Sequence, residues 1–283
     1  MTEISPSFAE RTYLPSAQAP TAPDRIEAER SMQRPATVVL GGLPITVVDR
    51  AEAAERMIAV ALAHRGSGAL PEYQTSANGQ VLVDCARDPA VRDLFLAADA
   101  IHADGMPMVF ASWQMSTVAL PERVATTDLV HDVMRRAGPA GVSSYLLGAT
   151  AEVNAAAIAN LRSLYPEVPR IDGRNGYFGE AEEEAICAEI DARAPDILWI
   201  GLGAPKEQAF VVRNRDRLRN VGVIKTSGGL FDFLSGRRVR APQFLQTIGL
   251  EWAWRMMLEP RRLGKRYFDT NFAALWLLLT RTE

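Results

Sequence analysis

From Val142 to Thr226 one pattern repeats: a short apolar run, a glycine-bearing turn, then a stretch of helical spacing. Strands are expected at Val142–Gly148, Val168–Asp172, Ile197–Ile200 and Gly222–Thr226. Helices are expected at Glu152–Leu164, Glu180–Ala192 and Glu207–Leu218. Because Ile197–Ile200 is apolar without alternation, that strand has to be covered on both faces, as in a parallel sheet. Repeated β-α units then require an α/β fold, a Rossmann-like and mainly parallel sheet with helices on both faces.

Four glycine-bearing turns follow these strands directly: Gly148-Ala-Thr150, Gly173 to Tyr177, Gly201-Leu-Gly203 and Ser227-Gly228-Gly229. Together they fall on one edge of the sheet, where open α/β sheets collect ligands. In the stretch Asp196–Gln208 a buried strand runs into Gly201 and Gly203, and Pro205 suits the first turn of a helix. Such a helix start offers unpaired N–H groups to an anion, which makes a phosphate cradle one reading. An ordinary tight strand-to-helix turn is the other.

Upstream, Met1 to about Pro35 lacks apolar periodicity and reads as a mobile leader. Thr37–Asp49 reads as two short strands around a Gly-Gly-Leu-Pro turn entering the sheet, and a helix is expected at Arg50–His64. Next come a strand at Glu72–Ser76, a helix capped by Asn78, a helix from Pro89 to about Ala98, and a strand at Ala100–Ala103. That last strand ends in Asp104-Gly105, before an expected helix at Met106–Met115. A carboxylate just past a strand end is placed for general-base work, and Asp104 is the best single candidate. Alternatively, Asp104 caps the following helix.

The chain has 283 residues, enough for one large α/β domain or two small ones, and only two cysteines, Cys85 and Cys187. Both lie in expected helices and read as buried free thiols, in keeping with a reducing compartment. No secretion signal is apparent, so a cytoplasmic location is expected. Net charge is −3, but Val211–Glu283 hold fourteen Lys and Arg against six Asp and Glu, so a +8 tail follows a −11 body. Residues 36–235 are read as the catalytic domain and 236–283 as a basic amphipathic helical appendage. Its apolar run Phe272–Leu279 is too short to span a bilayer, which takes about 20 residues. A basic, Trp- and Leu-rich terminus suits a membrane interface; packing on the core or on a second subunit is the competing reading.

Several segments, taken together, resemble the WecG/TagA/CpsF glycosyltransferases (glycosyltransferase family 26). They include Ser76-Ala-Asn78, Ala103 to Pro107, Glu122-Arg123-Val124 with Asp128, Gly173 to Phe178 and Gly201 to Lys206. Farther on, Gly228 to Phe233, Arg240-Ala-Pro242, Gly249 to Trp252, Arg255 and Glu259-Pro260 with Arg262 continue the match in order. The resemblance implies an inverting hexosyltransferase without cofactor or metal. The donor would be a UDP-sugar carrying N-acetylmannosamine, its uronic acid, glucuronic acid or a related hexose. The acceptor would be an undecaprenyl-diphosphate-linked saccharide at the inner face of the cytoplasmic membrane, in cell-surface or exopolysaccharide synthesis. By the same resemblance Asp104 is the base, and Arg255, Arg262 and Lys265 belong to a cationic set; Arg123 joins Asp104, Arg255 and Arg262 as the expected catalytic residues. Ser76, Asn78, Gly148, Tyr177, Gly201, Gly203, Pro205, Glu207, Gln208, Gly228, Gly229, Asp232, Arg240 and Lys265 are the expected substrate contacts. A homo-oligomer is plausible on the same ground.

The sequence departs from the family in three places. Glu207-Gln208 stands where Gln-Glu is usual, Thr126 replaces a glycine, and Lys265 replaces an arginine, which loses the forked grip on a diphosphate. His64, His102 and His131 lack metal-ligand spacing, and no Asp-x-Asp pair stands at a strand end. Two rival readings are weaker. A nucleotide-dependent oxidoreductase would need a G-x-G-x-x-G in the first β-α unit, which is missing. A nucleic-acid-binding module would rest on the basic tail, whose interleaved Trp and Leu favour lipid.

Overall fold

The computed structural model describes residues 34–242, 244–245, 250–258 and 260–283, without the side chains of Trp252, Arg255, Leu258 and residues 260–269. Expectations for the leader fall almost wholly outside the described residues. So do those for Gln243 and residues 246–249, and for the side chains of Arg255, Arg262 and Lys265.

The chain opens with an antiparallel hairpin, β1 (Thr37–Leu40) and β2 (Leu43–Thr46), turning at Gly41-Gly42. The two expected strands form a two-stranded sheet of their own, separate from the main sheet. It packs on the edge strand of the larger sheet, where the Thr46 hydroxyl accepts from the Ile101 amide at 3.1 Å. That contact occupies a ladder group on an edge that would otherwise be open.

The main sheet holds β3 (Glu72–Ala77), β4 (Ala100–Ala103), β5 (Ser144–Gly148), β6 (Ile171–Arg174), β7 (Ile197–Gly201) and β8 (Val223–Thr226). Its order is β4-β3-β8-β7-β5-β6 with every pair parallel. The helices that position the functional edge are α1 (Arg50–His64), α2 (Gly79–Arg87), α3 (Pro89–Leu96), α4 (Met106–Met115) and α5 (Thr126–Ala140). After them come α6 (Ala151–Leu164), α7 (Glu183–Arg193), α8 (Lys206–Asn214), α9 (Leu230–Leu234), α10 (Glu251–Leu258) and α11 (Pro260–Thr280).

Alternation along the strands divides the core. Ile197, Trp199 and Val223 face α1, α5 and α6, whereas Leu198, Ile200 and Ile224 face α7 and α8. Both faces are therefore covered, as the unbroken apolar runs require. A third cluster joins the hairpin, α2, α4 and the end of α11 through Leu40, Leu82, Val109 and Leu278. The last residues are fixed there by backbone bonds, Gly42 N–H to the Arg281 carbonyl and Glu283 N–H to the Val39 carbonyl. The end of the helical appendage is thus docked on the body. Cys85 and Cys187 are buried free thiols, as expected.

Three differences from the sequence reading have local causes. Strand β6 starts at Ile171 instead of Val168, because Pro169 has no N–H to give a ladder. Helix α5 went unpredicted: Gly138 and Pro139 mask its end, although Leu129, Val130, Val133, Met134 and Ala137 bury one side of it. Helix α8 starts at Lys206, with Pro205 in the cap position after a cis peptide, and gives way to a 3₁₀ turn at Arg215–Arg217.

One close approach fixes the functional edge. Gly148 and Gly201 are register partners at the ends of β5 and β7. A Cβ on Gly148 would lie 2.3 Å from the Gly201 carbonyl oxygen, and Gly148 has φ +151°. Gly203, by contrast, has φ +81° and open space around it. Gly148→Ala is therefore expected to cost on the order of 3 kcal/mol, as the backbone of β7 must move. Gly203→Ala should cost only the left-handed strain of about 1–2 kcal/mol. Denaturant unfolding of the two variants checks the ranking.

Candidate active site

The carboxyl ends of the strands carry the candidate site. From β5 the chain leaves through α6 toward β6, and from β7 it leaves through α8 toward β8, so the connections diverge between β5 and β7. A crevice opens where they part. It is a cleft of about 780 Å³ lined by Ala149, Gly176, Tyr177, Gly201, Pro205 and Lys206, among others. Tyr177 is 75% exposed at its rim. The candidates Tyr177, Gly201 and Pro205 thus converge here, and Gly148 lies directly behind Gly201.

A second cavity, of about 340 Å³, lies at the ends of β3 and β4. Asp104 lines it, held in place by its own amide, which donates to the Ala77 carbonyl at 2.8 Å. The alternative reading of Asp104 as a helix cap is overturned: Gly105 occupies the cap position of α4. Asn78 lines the same cavity and also caps α2, accepting from the Val81 amide at 3.2 Å. A wall from α11 brings Ala274, Leu275 and Leu278, with the polar Thr270 and Asn271 one turn earlier.

Arg123 lines the Asp104 cavity and belongs to an ion-pair network. Its guanidinium donates to Glu251 at 3.0 Å and lies 3.7 Å from Asp128. Asp128 is gripped on both oxygens by Arg240, with Arg50 3.8 Å away. Burial works against the Asp128 charge, but the Arg240 hydrogen bonds and the neighbouring guanidinium charges outweigh it and hold the carboxyl below its ordinary range. Arg240 is thereby engaged with protein, and it edges a third cavity between α5, α6 and α9. Asp232 pairs with Arg238 at 3.3 Å and lines none of the three cavities.

Two substrate-contact candidates point the other way. Glu207 and Gln208 are buried, and neither lines any of these three cavities. The Glu207 carboxylate accepts from the amides of Leu202, Gly203 and Gly228, each at 3.1 Å. The amides of Gly203 and Gly228, expected to face a phosphate, are therefore already held by the protein's own carboxylate. Gly229 serves as the cap residue of α9. Gln208 donates to the Thr75 hydroxyl at 3.2 Å, and Thr226 bonds the same hydroxyl at 2.8 Å. The side chains turn inward because α8 packs its buried face on β7 and β8.

The sequence reading overlooked Lys225, a lysine inside a buried strand. Its ammonium donates to Ser76 Oγ at 2.6 Å, and Ser76 lies 3.2 Å from the Thr126 hydroxyl. A lysine among Val223, Ile224 and Thr226 was itself the available signal, since burying an ammonium is costly. His102, the register partner of Ser76 on β4, is pushed well below its ordinary pKa by burial first and by the Lys225 and Arg56 charges next. Among the described residues no three His, Cys, Asp or Glu side chains are grouped to hold a metal.

Burial raises the Glu207 carboxyl from its ordinary 4.5 to about 7, against the opposing pull of the three amides and Lys225. A raised carboxyl pKa favours the folded state at low pH, and this advantage is lost as pH rises from about 4.5 through about 7. The buried histidines His102 and His131, both lowered, act with the opposite sign in wild type and variant alike. The stability difference between Glu207→Gln and wild type should therefore shift in the variant's favour across that window and level off above it. Paired denaturant midpoints at stepped pH measure this, and a pH-independent difference would contradict it.

A comparison with protein families bears on the same edge. The family model described as the glycosyl transferase WecG/TagA/CpsF family matches residues 38–282, from the first hairpin to the docked end of α11. That span holds both clefts and every candidate residue, and it decides between the transferase and oxidoreductase readings. The chain belongs to the WecG/TagA/CpsF family of glycosyltransferases.

Proposed function

We propose that the chain moves a hexose from a UDP-sugar to an undecaprenyl-diphosphate-linked saccharide, inverting the anomeric centre and using no metal. The work belongs to cell-surface or exopolysaccharide synthesis at the inner face of the cytoplasmic membrane. One observation carries the reading: the same sheet edge holds a cleft at the glycine turns and a cavity where the Asp104 carboxyl meets Ala274, Leu275 and Leu278 of α11.

In this reading the nucleotide diphosphate occupies the β5/β7 cleft, where backbone can approach it closely and Lys206 and Tyr177 flank it. The acceptor occupies the second cavity, with its lipid end along α11. Asp104 takes the proton of the acceptor hydroxyl, whose oxygen attacks the anomeric carbon on the face opposite the nucleotide. The bond from that carbon to the diphosphate oxygen breaks, and UDP leaves with the electron pair. Cationic side chains stabilise the departing charge. Arg123 is the described one, and Arg255, Arg262 and Lys265 are assigned to the same task through the family resemblance.

Among the described residues no helix is long and apolar enough to cross a membrane. Phe272, Trp276 and Leu279 are nonetheless more than half exposed on α11, and Phe110 and Trp113 of α4 are also exposed as an edge-to-face pair. This apolar surface stands beside the Asp104 cavity and suits an interface from which a lipid-linked acceptor enters.

Asp104→Asn is expected to lower transfer by about 10²–10⁴-fold in a protein that still folds. The assay is UDP release from a panel of UDP-sugars with a short-chain polyprenyl-diphosphate sugar, at varied EDTA. A variant running at full rate would remove Asp104 as the base. The double change Phe272→Glu and Trp276→Glu should release the protein from anionic vesicles in flotation. Retention at the wild-type level would move the membrane face elsewhere.

A further inference from the structure

Lys225 takes part in none of the steps above, yet it sits between the two halves of the site. It lies opposite Gln74 in the β3–β8 register, and its ammonium reaches Ser76, two residues farther along β3. The residue is fully buried. An ammonium only donates hydrogen bonds, so Ser76 Oγ must accept from it. The Thr126 hydroxyl is 3.2 Å from Ser76 Oγ, and either of the two can donate to the other. Thr126 starts α5, between Ala125 and Thr127, which both line the Asp104 cavity.

A buried ammonium needs opposing charge nearby. Two carboxylates act on this one, Asp104 from the end of β4 and Glu207 from α8. Glu207 gives its charge to three amides and stays partly protonated near neutral pH, which leaves Asp104 as the steadier partner. Among the described residues the other charged or titratable groups nearby include His102 on β4, Arg56 of α1 paired with Glu72 of β3, and, toward Asp104, Arg123, Arg240 and Glu251.

We propose that Lys225 is a positioning residue for transfer: it orients the Ser76 hydroxyl and keeps the Asp104 carboxyl ionised as a base from beneath the sheet edge. The coupling is reciprocal, because a carboxylate that favours the charged lysine is itself favoured in its charged form. Burial brings Lys225 down to about 8, with Asp104 and Glu207 pulling the other way. The catalytic half of the proposal rests on the glycosyltransferase reading, whereas the electrostatic half does not.

The test is a carboxyl-carbon NMR titration of Asp104 in labelled protein, the signal being assigned by its loss in Asp104→Asn. In Lys225→Met the Asp104 midpoint should rise by about one pH unit or more. The acid limb of kcat/KM for transfer should move upward with it, while Lys225→Arg, which keeps the charge, should keep the limb in place. If Lys225→Met does not fold, wild type decides: its Asp104 signal should show a second inflection near pH 8 as the ammonium loses its proton. An unmoved midpoint, or no second inflection, overturns the proposal whether or not transfer is seen. A shifted midpoint in a protein that releases no UDP from any donor supports the coupling and counts against the sugar-transfer reading instead.

Discussion

A carboxylate taken out of water must find its donors in the protein, and at Glu207 it finds three amides from two separate turns. Leu202 and Gly203 follow β7, and Gly228 follows β8, so one side chain fixes the ends of neighbouring strands relative to each other. The β5/β7 cleft depends on that restraint. Its floor is the Gly148–Gly201 approach, which leaves no room for a side chain, and its far wall is the start of α8, which carries Glu207 itself. The glycine turns thus have a shape set from within, before any ligand arrives, and such preorganisation lowers the cost of binding a flexible diphosphate.

The same economy governs the basic half of the chain. Read as a sequence, the excess of arginine after Val211 looks like a surface seeking an anionic partner. In the fold several of those arginines meet carboxylates of the body: Arg213 meets Glu183, Arg215 meets Asp99, and Arg240 meets Asp128. Arg238 pairs nearer home, with Asp232. Acidic body and basic tail are therefore partly complementary halves of one structure. Arg123 and Glu251 extend the network from α5's approach to α10, so the appendage is attached through charge beside the Asp104 cavity as well as through the apolar contacts of α11.

What could be read beforehand was whatever depends on neighbours in sequence. The β-α alternation required the parallel sheet, and Arg50–His64 and Met106–Met115 have the bounds their periodicity implied. The position of Asp104 just past β4 was legible because a strand end is a local feature. Helix α5 was hidden by Gly138-Pro139, where breakers in the last turn outweighed a clear apolar side. Orientation was harder. Whether Glu207 faces ligand or core depends on how α8 sits on β8, and the Glu207–Gly228 contact closes across 21 positions. The Arg123–Glu251 pair spans 128 positions, beyond the reach of any pattern of spacing. Lys225 was legible as an anomaly, since a charged residue in a fully covered strand calls for a reason; its partners were not.

The placement of apolar residues on α11 connects these points to function. Ala274, Leu277 and Leu278 are buried against the hairpin, α2 and α4, so this side of the helix is already used for folding. Phe272, Trp276 and Leu279 fall on other positions of the same turns and stay exposed. A helix that is apolar on two sides and docked by only one has a face for a second apolar medium. Leu275 is more than half exposed and also lines the Asp104 cavity, so the exposed face and the cavity wall meet at one residue. A lipid tail lying on the outer face would bring its attached saccharide to the cavity without crossing polar surface. In such an arrangement the carboxylate that takes the proton lies close to the membrane boundary, in a setting of low polarity where an ionised aspartate needs a nearby cation to persist.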